Sequence, residues 1–421
     1  MKTKIFLNAT LSILILISFI VVGSGCGGGG NNPPGGDLVA YNLQIGRFTT
    51  TGLDNNRADA IISEMQAIIQ QSDAMGDVAC NVGFTRSGDV SAFSTGNGII
   101  NSLSDFTAVN DLPGQVKVVN QINWCGGLSP NIIGCAPVPG NSMVVIRFTP
   151  SQEGILWLHE FGHNKGLNHR NDPNAVMNGI IGSNRKSVNQ AECDNYRNRN
   201  IPLSAITFAA LETAKDTTKV EDFVKQIFIQ GVPYDEANKY GEDDVPLLLK
   251  MLEDSTQIAY WSNIAVTLGI IGNEQAVDPL IDLIKSDSPD TLSNELYTAK
   301  TSAIMALGYL INKSGNQKSL DFLKGCLDPH AWDESQPNWV GPFQASTEQR
   351  NYQLSTMAIL GLTLSGHQDA LDALHKLAEP ATTEDGKKFQ AQVSNVLKEA
   401  LETCELISEK GLSEYYKESK K

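Results

Sequence analysis

Residues 159–169 read HEFGHNKGLNH, a run that commits the local chain to a helix, a turn and a shared metal before any longer pattern is considered. His159 and His163 are four residues apart, so on a helix both imidazoles project from one face toward a common point. Glu160 sits beside the first of them, off that line but within reach of a water held at the same point. Gly166 lets the chain leave the helix through a backbone conformation that other residues resist. The chain can then turn back and deliver His169 as a third nitrogen. Three neutral imidazoles leave a fourth position open, the ligand arrangement of a catalytic zinc site. A closed structural site would need a fourth protein ligand, and the nearest cysteine beyond the run, Cys193, lies 24 residues past His169. The chain has 6 histidines, and half of them fall in these eleven residues, so chance placement is a poor account.

The flanking sequence predicts the elements that would carry this run. Ser151–Leu158 (SQEGILWL) has the pattern of a helix start, with Ser151 placed to cap and Glu153 in the first turn, where the helix dipole favours negative charge. Ile155, Leu156, Leu158 and Phe161 fall on the side away from the metal. Upstream, Ser142–Thr149, Val116–Trp124 and Val78–Phe84 are β-branched runs that predict strands. Arg57–Gln71 carries apolar residues at helical spacing and predicts a long helix packed on their sheet.

Downstream, Met177 stands eight residues past His169 in the stretch NAVMNG. The run H-E-x-x-H-x-x-G-x-x-H followed by this methionine resembles the metzincin zinc peptidases, and the short spacing is most similar to their matrixin branch. The resemblance covers roughly residues 38–205. It implies an α/β (α+β) peptidase domain split by a cleft, with the motif helix at its floor and Zn2+ as cofactor. His159, His163 and His169 would be the ligands and Glu160 the general base. Gly166 would be the structural turn, and Met177 would lie beneath the metal without touching it, where a soft thioether fills an irregular apolar floor. A closing helix is expected over Ser187–Arg199, with Ser187 as cap and Glu192 and Asp194 in solvent. Two features depart from the family: Arg170 follows the third histidine, and Asn178 and Gly179 stand where matrixins usually carry Tyr and Pro. Tyr196 is the nearby tyrosine after the methionine, at a spacing unsuited to assisting the reaction. No latency segment is expected in the dozen or so residues between the apolar leader and the first predicted strand.

Lys2 and Lys4 precede an apolar stretch, Ile5–Val22, followed by GSGC and a glycine tract. This predicts a signal peptide over residues 1–25 and export. GSGC resembles a bacterial lipoprotein cleavage site, with Cys26 as the lipidated residue that joins the chain to a membrane. It departs from that site at Gly23, and ordinary cleavage with secretion, or retention of the leader as an anchor, are the alternatives. Residues 26–37 then read as a glycine-rich tether. Four cysteines in the peptidase-like region suit an oxidising compartment and permit three pairings. Cys125–Cys135, closing the Gly/Pro-rich loop, with Cys80–Cys193, is the expected arrangement; Cys326 and Cys404 read as buried free thiols.

From residue 206 to 421 the texture changes. Residues 38–205 carry a net charge of −2 and residues 206–421 a net charge of −14, so the acidity of the chain, −15 in all, belongs to its second half. That balance disfavours nucleic acid and anionic lipid as partners of this surface. Three stretches, 265–284, 303–323 and 357–377, repeat a helix end, a glycine turn and a new amphipathic helix. Their aligned glycines Gly269, Gly308 and Gly361 are 39 and 53 residues apart, the longer interval holding an insertion near 328–347 with Trp332 and Trp339. A period near 40 with two helices per unit resembles HEAT-like repeats, whose concave faces bind proteins. The tail after Gly411 is expected to fray.

The expected fold is therefore multidomain, a metzincin-type α/β peptidase domain followed by an all-α HEAT-like solenoid. The expected function is an exported zinc-dependent endopeptidase acting on protein or peptide substrates, with a repeat domain available to a protein partner. The alternative is a surface-anchored adaptor whose peptidase domain is vestigial.

Overall fold

A strand buried on both faces must offer apolar side chains alternately to two cores, and the run at 143–146 does so. The computed structural model describes residues 37–72, 77–182, 186–200, 202, 207–209, 218–288, 291–334 and 339–419. Its strands are β1 (Val39–Leu43), β2 (Ile45–Phe48), β3 (Val82–Arg86), β4 (Ser91–Phe93), β5 (Ile99–Ile100), β6 (Val116–Val119), β7 (Gln121–Trp124), β8 (Leu128–Ile132), β9 (Gly134–Cys135), β10 (Met143–Ile146), β11 (Ile180–Ile181) and β12 (Ile227–Phe228). The main sheet has the order β4-β2-β6-β10-β9; its first four strands are parallel neighbours and β9 closes one edge antiparallel. Smaller sheets are β1-β3, β5-β7-β8 and β11-β12.

Four helices belong to this half: α1 (Asn55–Ile69), α2 (Leu103–Asn110), α3 (Glu153–Asn164) and α4 (Gln190–Arg197). Met143 and Val145 of β10 share a core with Ile61 and Met65 of α1 and Leu156 and Leu158 of α3. Val144, pointing the other way, shares a second core with Phe106 and Val109 of α2. Both disulfides form as expected, Cys80–Cys193 and Cys125–Cys135, and Cys326 and Cys404 are buried free thiols.

Several element boundaries differ from expectation for identifiable reasons. The run 116–124 breaks at Asn120, whose side chain accepts from Thr51 Oγ1 (2.9 Å) and donates to Thr50 Oγ1 (2.8 Å), so β6 and β7 enter different sheets. Residues 78–80 are drawn off to the α4 side by the Val78 N to Val188 O bond and the Cys80 disulfide, and β3 starts only at Val82. Ser151 lies in a short 3-10 turn and caps nothing. Glu153 anchors the start of α3 instead: it is fully buried and accepts from Arg57 Nη2 (2.7 Å), Arg147 Nε (2.7 Å) and Phe148 N (3.1 Å). Asn189, not Ser187, caps α4, and Glu192 completes the capping box.

The second half is helical, with α5 (Val220–Val224), α6 (Tyr234–Ala237), α7 (Val245–Glu253), α8 (Trp261–Ile271), α9 (Val277–Lys285), α10 (Asn294–Ser314), α11 (Gln317–Gly325), α12 (Ala331–Glu334), α13 (Thr347–Ser365), α14 (Gln368–Ala378), α15 (Glu384–Lys410) and α16 (Leu412–Glu418). The chain is thus mixed α/β, sheets early and helices late. The long helices α8, α10, α13 and α15 pack in succession, and α9, α11 and α14 cover them. The repeated glycines explain the spacing: a Cβ at Gly269 would strike the Ala306 carbonyl, and one at Gly308 would strike the Gly361 carbonyl. The helix backbones therefore approach as closely as bare glycine allows. In the 328–347 insertion both tryptophans are buried; Trp332 Nε1 donates to Ser355 Oγ (3.1 Å), and the Trp339 carbonyl accepts from Arg350 (2.9 Å).

The expected leader, the tether up to residue 36 and the lipidated Cys26 lie outside the described residues, as do 203–206 at the expected domain boundary. Among the described residues no helix is long and apolar enough to cross a membrane. The described residues belong to one compact unit. The C-terminal stretch does not fray up to Ser419. In α16, Tyr415 Oη accepts from Leu128 N (2.8 Å) and Tyr416 Oη donates to Leu128 O (2.6 Å), pinning the last helix to β8. Two aromatic side chains with polar tips supply the anchor that a count of polar residues misses.

Gly308→Ala should lower stability by about 2–3 kcal/mol in denaturant titration, since neither helix backbone can yield. Gly325→Ala, whose added methyl meets nothing within 4 Å, should raise it by about 0.5 kcal/mol.

Candidate metal centre

The geometry begins with the helix α3, which carries His159 and His163 about one turn apart near its C-terminal end, with Glu160 next to His159. The helix stops because Gly166 takes a left-handed conformation (φ +80°), with Gly166 N bonding to His163 O (2.8 Å) and Leu167 N to Gly162 O (3.0 Å). The reversed chain brings His169 back over the helix. The ring centroids of the three imidazoles are 4.5, 4.9 and 5.1 Å apart, and their ligand nitrogens lie within 4.8 Å of one another. All three rings are buried.

Backbone carbonyls fix two of the rings. His159 Nδ1 bonds to Val176 O and His163 Nδ1 to Leu167 O, both at 2.8 Å. A carbonyl only accepts, so each Nδ1 carries the proton and each Nε2 offers its lone pair to the centre. His163 Nε2 has no hydrogen-bond partner. His159 Nε2 and His169 Nε2 are 3.2 Å apart. Two nitrogens on one tetrahedral zinc, each about 2.0–2.1 Å from it, would stand about 3.3 Å apart, so the donor set suits that ion. Burial disfavours the charged form of the two helical rings: it pushes His163 down to about 4, and it pushes His159 well below the usual imidazole range, with its two neighbouring rings adding to the effect.

Glu160 is buried next to the first ligand, and neither of its carboxyl oxygens has a hydrogen-bond partner. Burial pushes its carboxyl well above the usual range. A buried carboxyl left without partners is costly, and a divalent cation beside it is the compensation its surroundings call for. Room for the carboxyl comes from Gly134 of β9, where a Cβ would overlap Glu160 Oε1.

Met177 packs against Gly162 of α3. Its Sδ accepts from Tyr196 Oη (3.3 Å), and the turn that holds it is closed by Arg170 N to Met177 O (2.8 Å). Tyr196 is fully buried and its hydroxyl also lies 3.1 Å from Leu158 O, so it braces α3. Glu192, expected in solvent, is buried and pairs with Arg170 Nε at 2.9 Å; Asp194 is exposed as expected. Arg170 also bonds Ser187 O and Oγ, so the residue that departs from the family ties the methionine turn to the approach to α4.

Gly162 and Gly134 were not singled out in the sequence. A Cβ at Gly162 would overlap Met177 Sδ and come within 2.6 Å of Tyr196 Oη, so this glycine admits the methionine under the ligands. The signal was available, because a glycine inside a helix costs about 1 kcal/mol against alanine and needs a packing reason. Gly134 carried no such signal, since its contact with Glu160 is set by tertiary structure.

No family model matches the chain, and no curated protein searched is significantly similar to it.

Gly162→Ala, which leaves every ligand in place, should weaken zinc binding about 10–100-fold in competition with a chromophoric chelator. Gly52→Ala, whose added methyl would meet nothing within 4 Å, should leave it unchanged.

Proposed function

We propose that the chain is a zinc-dependent endopeptidase of metzincin type, with a HEAT-like helical half available to a protein partner. The observation that carries this reading is the convergence of three Nε2 atoms, two of them aimed by carbonyl bonds, beside a buried carboxyl with no other task. His159, His163 and His169 would hold the ion. Bound there, zinc supplies Lewis acidity toward a peptide carbonyl and makes a water acidic enough to lose its proton near neutral pH.

The chain's own groups do the rest. Glu160 accepts the proton of the attacking water and passes it to the leaving amine nitrogen. Its freedom from other hydrogen bonds leaves both oxygens available for that transfer. Val176 O and Leu167 O keep the two helical imidazoles in one tautomer and one orientation through the cycle. Met177, Tyr196 and Gly162 form the packed floor that stops α3 from shifting. The leader, through Cys26 or by plain secretion, would place this activity outside the cytoplasm, where the two disulfides persist.

A second reading, the surface adaptor with a vestigial site, draws on one observation: Glu160, His159 and His163 have no exposed surface. The two readings differ in one experiment. Glu160→Ala should retain zinc by metal analysis and lose casein hydrolysis by about 10²–10⁴-fold. Measurable, chelator-sensitive hydrolysis that is equal in wild type and variant would remove Glu160 from the chemistry, and zinc binding with no chelator-sensitive hydrolysis under any activating change would favour the adaptor.

A further inference from the structure

An enzyme that cuts a peptide bond must take the substrate backbone in extended form, and extended backbone is held by hydrogen bonds to free strand edges. Two stretches offer such groups to one segment. One is Ile132–Gly134, at the end of β8 and start of β9, where Gly134 abuts the Glu160 carboxyl; the other is Gly179–Ile181, just after the Met177 turn. The space between them holds Ile227–Gln230, a segment from the second half of the same chain.

The fit is that of a bound strand. Ile133 N donates to Ile229 O (2.9 Å), and Ile229 N donates to Gly179 O (3.0 Å), so one residue is clasped from both sides. Gln230 pairs antiparallel with Ile132, while Ile227 and Phe228 pair antiparallel with Ile181 and Ile180. Side chains alternate: fully buried Ile229 belongs to the apolar core that contains Ile133, Leu156, Met177 and Ile181, and Phe228 belongs to the core of the helical half. Asn263 of α8 holds the approach by donating to Val224 O (3.1 Å) and Gln226 O (2.8 Å). Gly231, left-handed at φ +75°, then turns the chain away.

Two further observations fit a removable occupant. The catalytic carboxyl and the helical imidazoles are shut from solvent, so no substrate reaches them in this conformation. The Gln230 side chain is buried with neither its amide nitrogen nor its oxygen partnered, a cost that displacement would relieve.

We propose that Ile227–Gln230 is an internal pseudosubstrate that keeps the full-length chain latent. It marks the slot as one for extended peptides bearing a branched aliphatic side chain where Ile229 now lies. This rests on the peptidase reading and adds a regulation of that same site. Activation is a shift of the population in which the segment has left the slot, so weakening its grip raises the rate without touching the metal ligands.

The test uses the full zinc-loaded chain with fluorescein-casein as probe. Ile229→Asp, which sets a charge in the apolar pocket, should raise hydrolysis at least about tenfold at unchanged zinc content. The synthetic octapeptide KQIFIQGV, matching residues 225–232, should compete with casein on that variant, raising KM and leaving kcat alone. Wild type as fast as Ile229→Asp, or no competition by the octapeptide, would overturn the latency while leaving the peptidase standing. Zinc-loaded Ile229→Asp with no hydrolysis at all would overturn the peptidase reading itself. If the aspartate variant does not fold, Ile229→Ala reads the same quantity, a rate gain of a few fold supporting the inference and an unchanged rate ending it.

Discussion

Two backbone carbonyls, Val176 O and Leu167 O, decide what the histidine run can do. Without them the imidazoles of α3 would be free to rotate and to present either nitrogen. With them, each ring offers one lone pair to one point. Neither carbonyl belongs to the helix that carries the rings. Leu167 arrives through the left-handed turn at Gly166, and Val176 through the loop that Arg170 and Met177 close. The candidate metal centre is thus the meeting of a helix with the two segments that follow it, and the Arg170–Glu192 pair with the Cys80–Cys193 bridge ties those segments to the sheet.

Close approach is the second constraint, used twice. Gly134 and Gly162 give up their side chains so that Glu160 and Met177 can occupy the space above and below the ligands. Gly269 and Gly308 do the same between long helices, setting α8, α10 and α13 backbone to backbone. The helical half is in turn fastened to the sheets by α16 on β8, by Glu399 accepting from Leu103 N and Ser104 N at the start of α2, and by β12 on β11. Its helices and the histidine cluster therefore share one packed unit, and a strand from one half sits against the site in the other.

What the sequence made legible follows from how local each signal is. The three clustered histidines, Glu160 and Gly166 lie within one helix and its exit turn, so spacing alone places them, and Met177 falls close enough behind to be read with them. The repeated glycine–helix pattern is likewise local to each pair, and both disulfides join cysteines in the expected way. Boundaries moved where a polar side chain made a tertiary bond: Asn120 broke a strand, Asn189 displaced Ser187 as cap, and Glu192 was buried by Arg170. The roles of Gly134, the tail tyrosines and Ile227–Gln230 depend on partners up to hundreds of residues away. KQIFIQGV reads only as a short β-branched run, with nothing in it to name the groove it fills.

X-ray absorption at the zinc edge of the purified full-length protein tests the central claim most directly. The account predicts about one zinc per chain with three imidazole nitrogens at roughly 2.0 Å and a light oxygen scatterer completing the shell. A sulfur scatterer at about 2.3 Å, a fourth imidazole, or a chain that holds no zinc would contradict it.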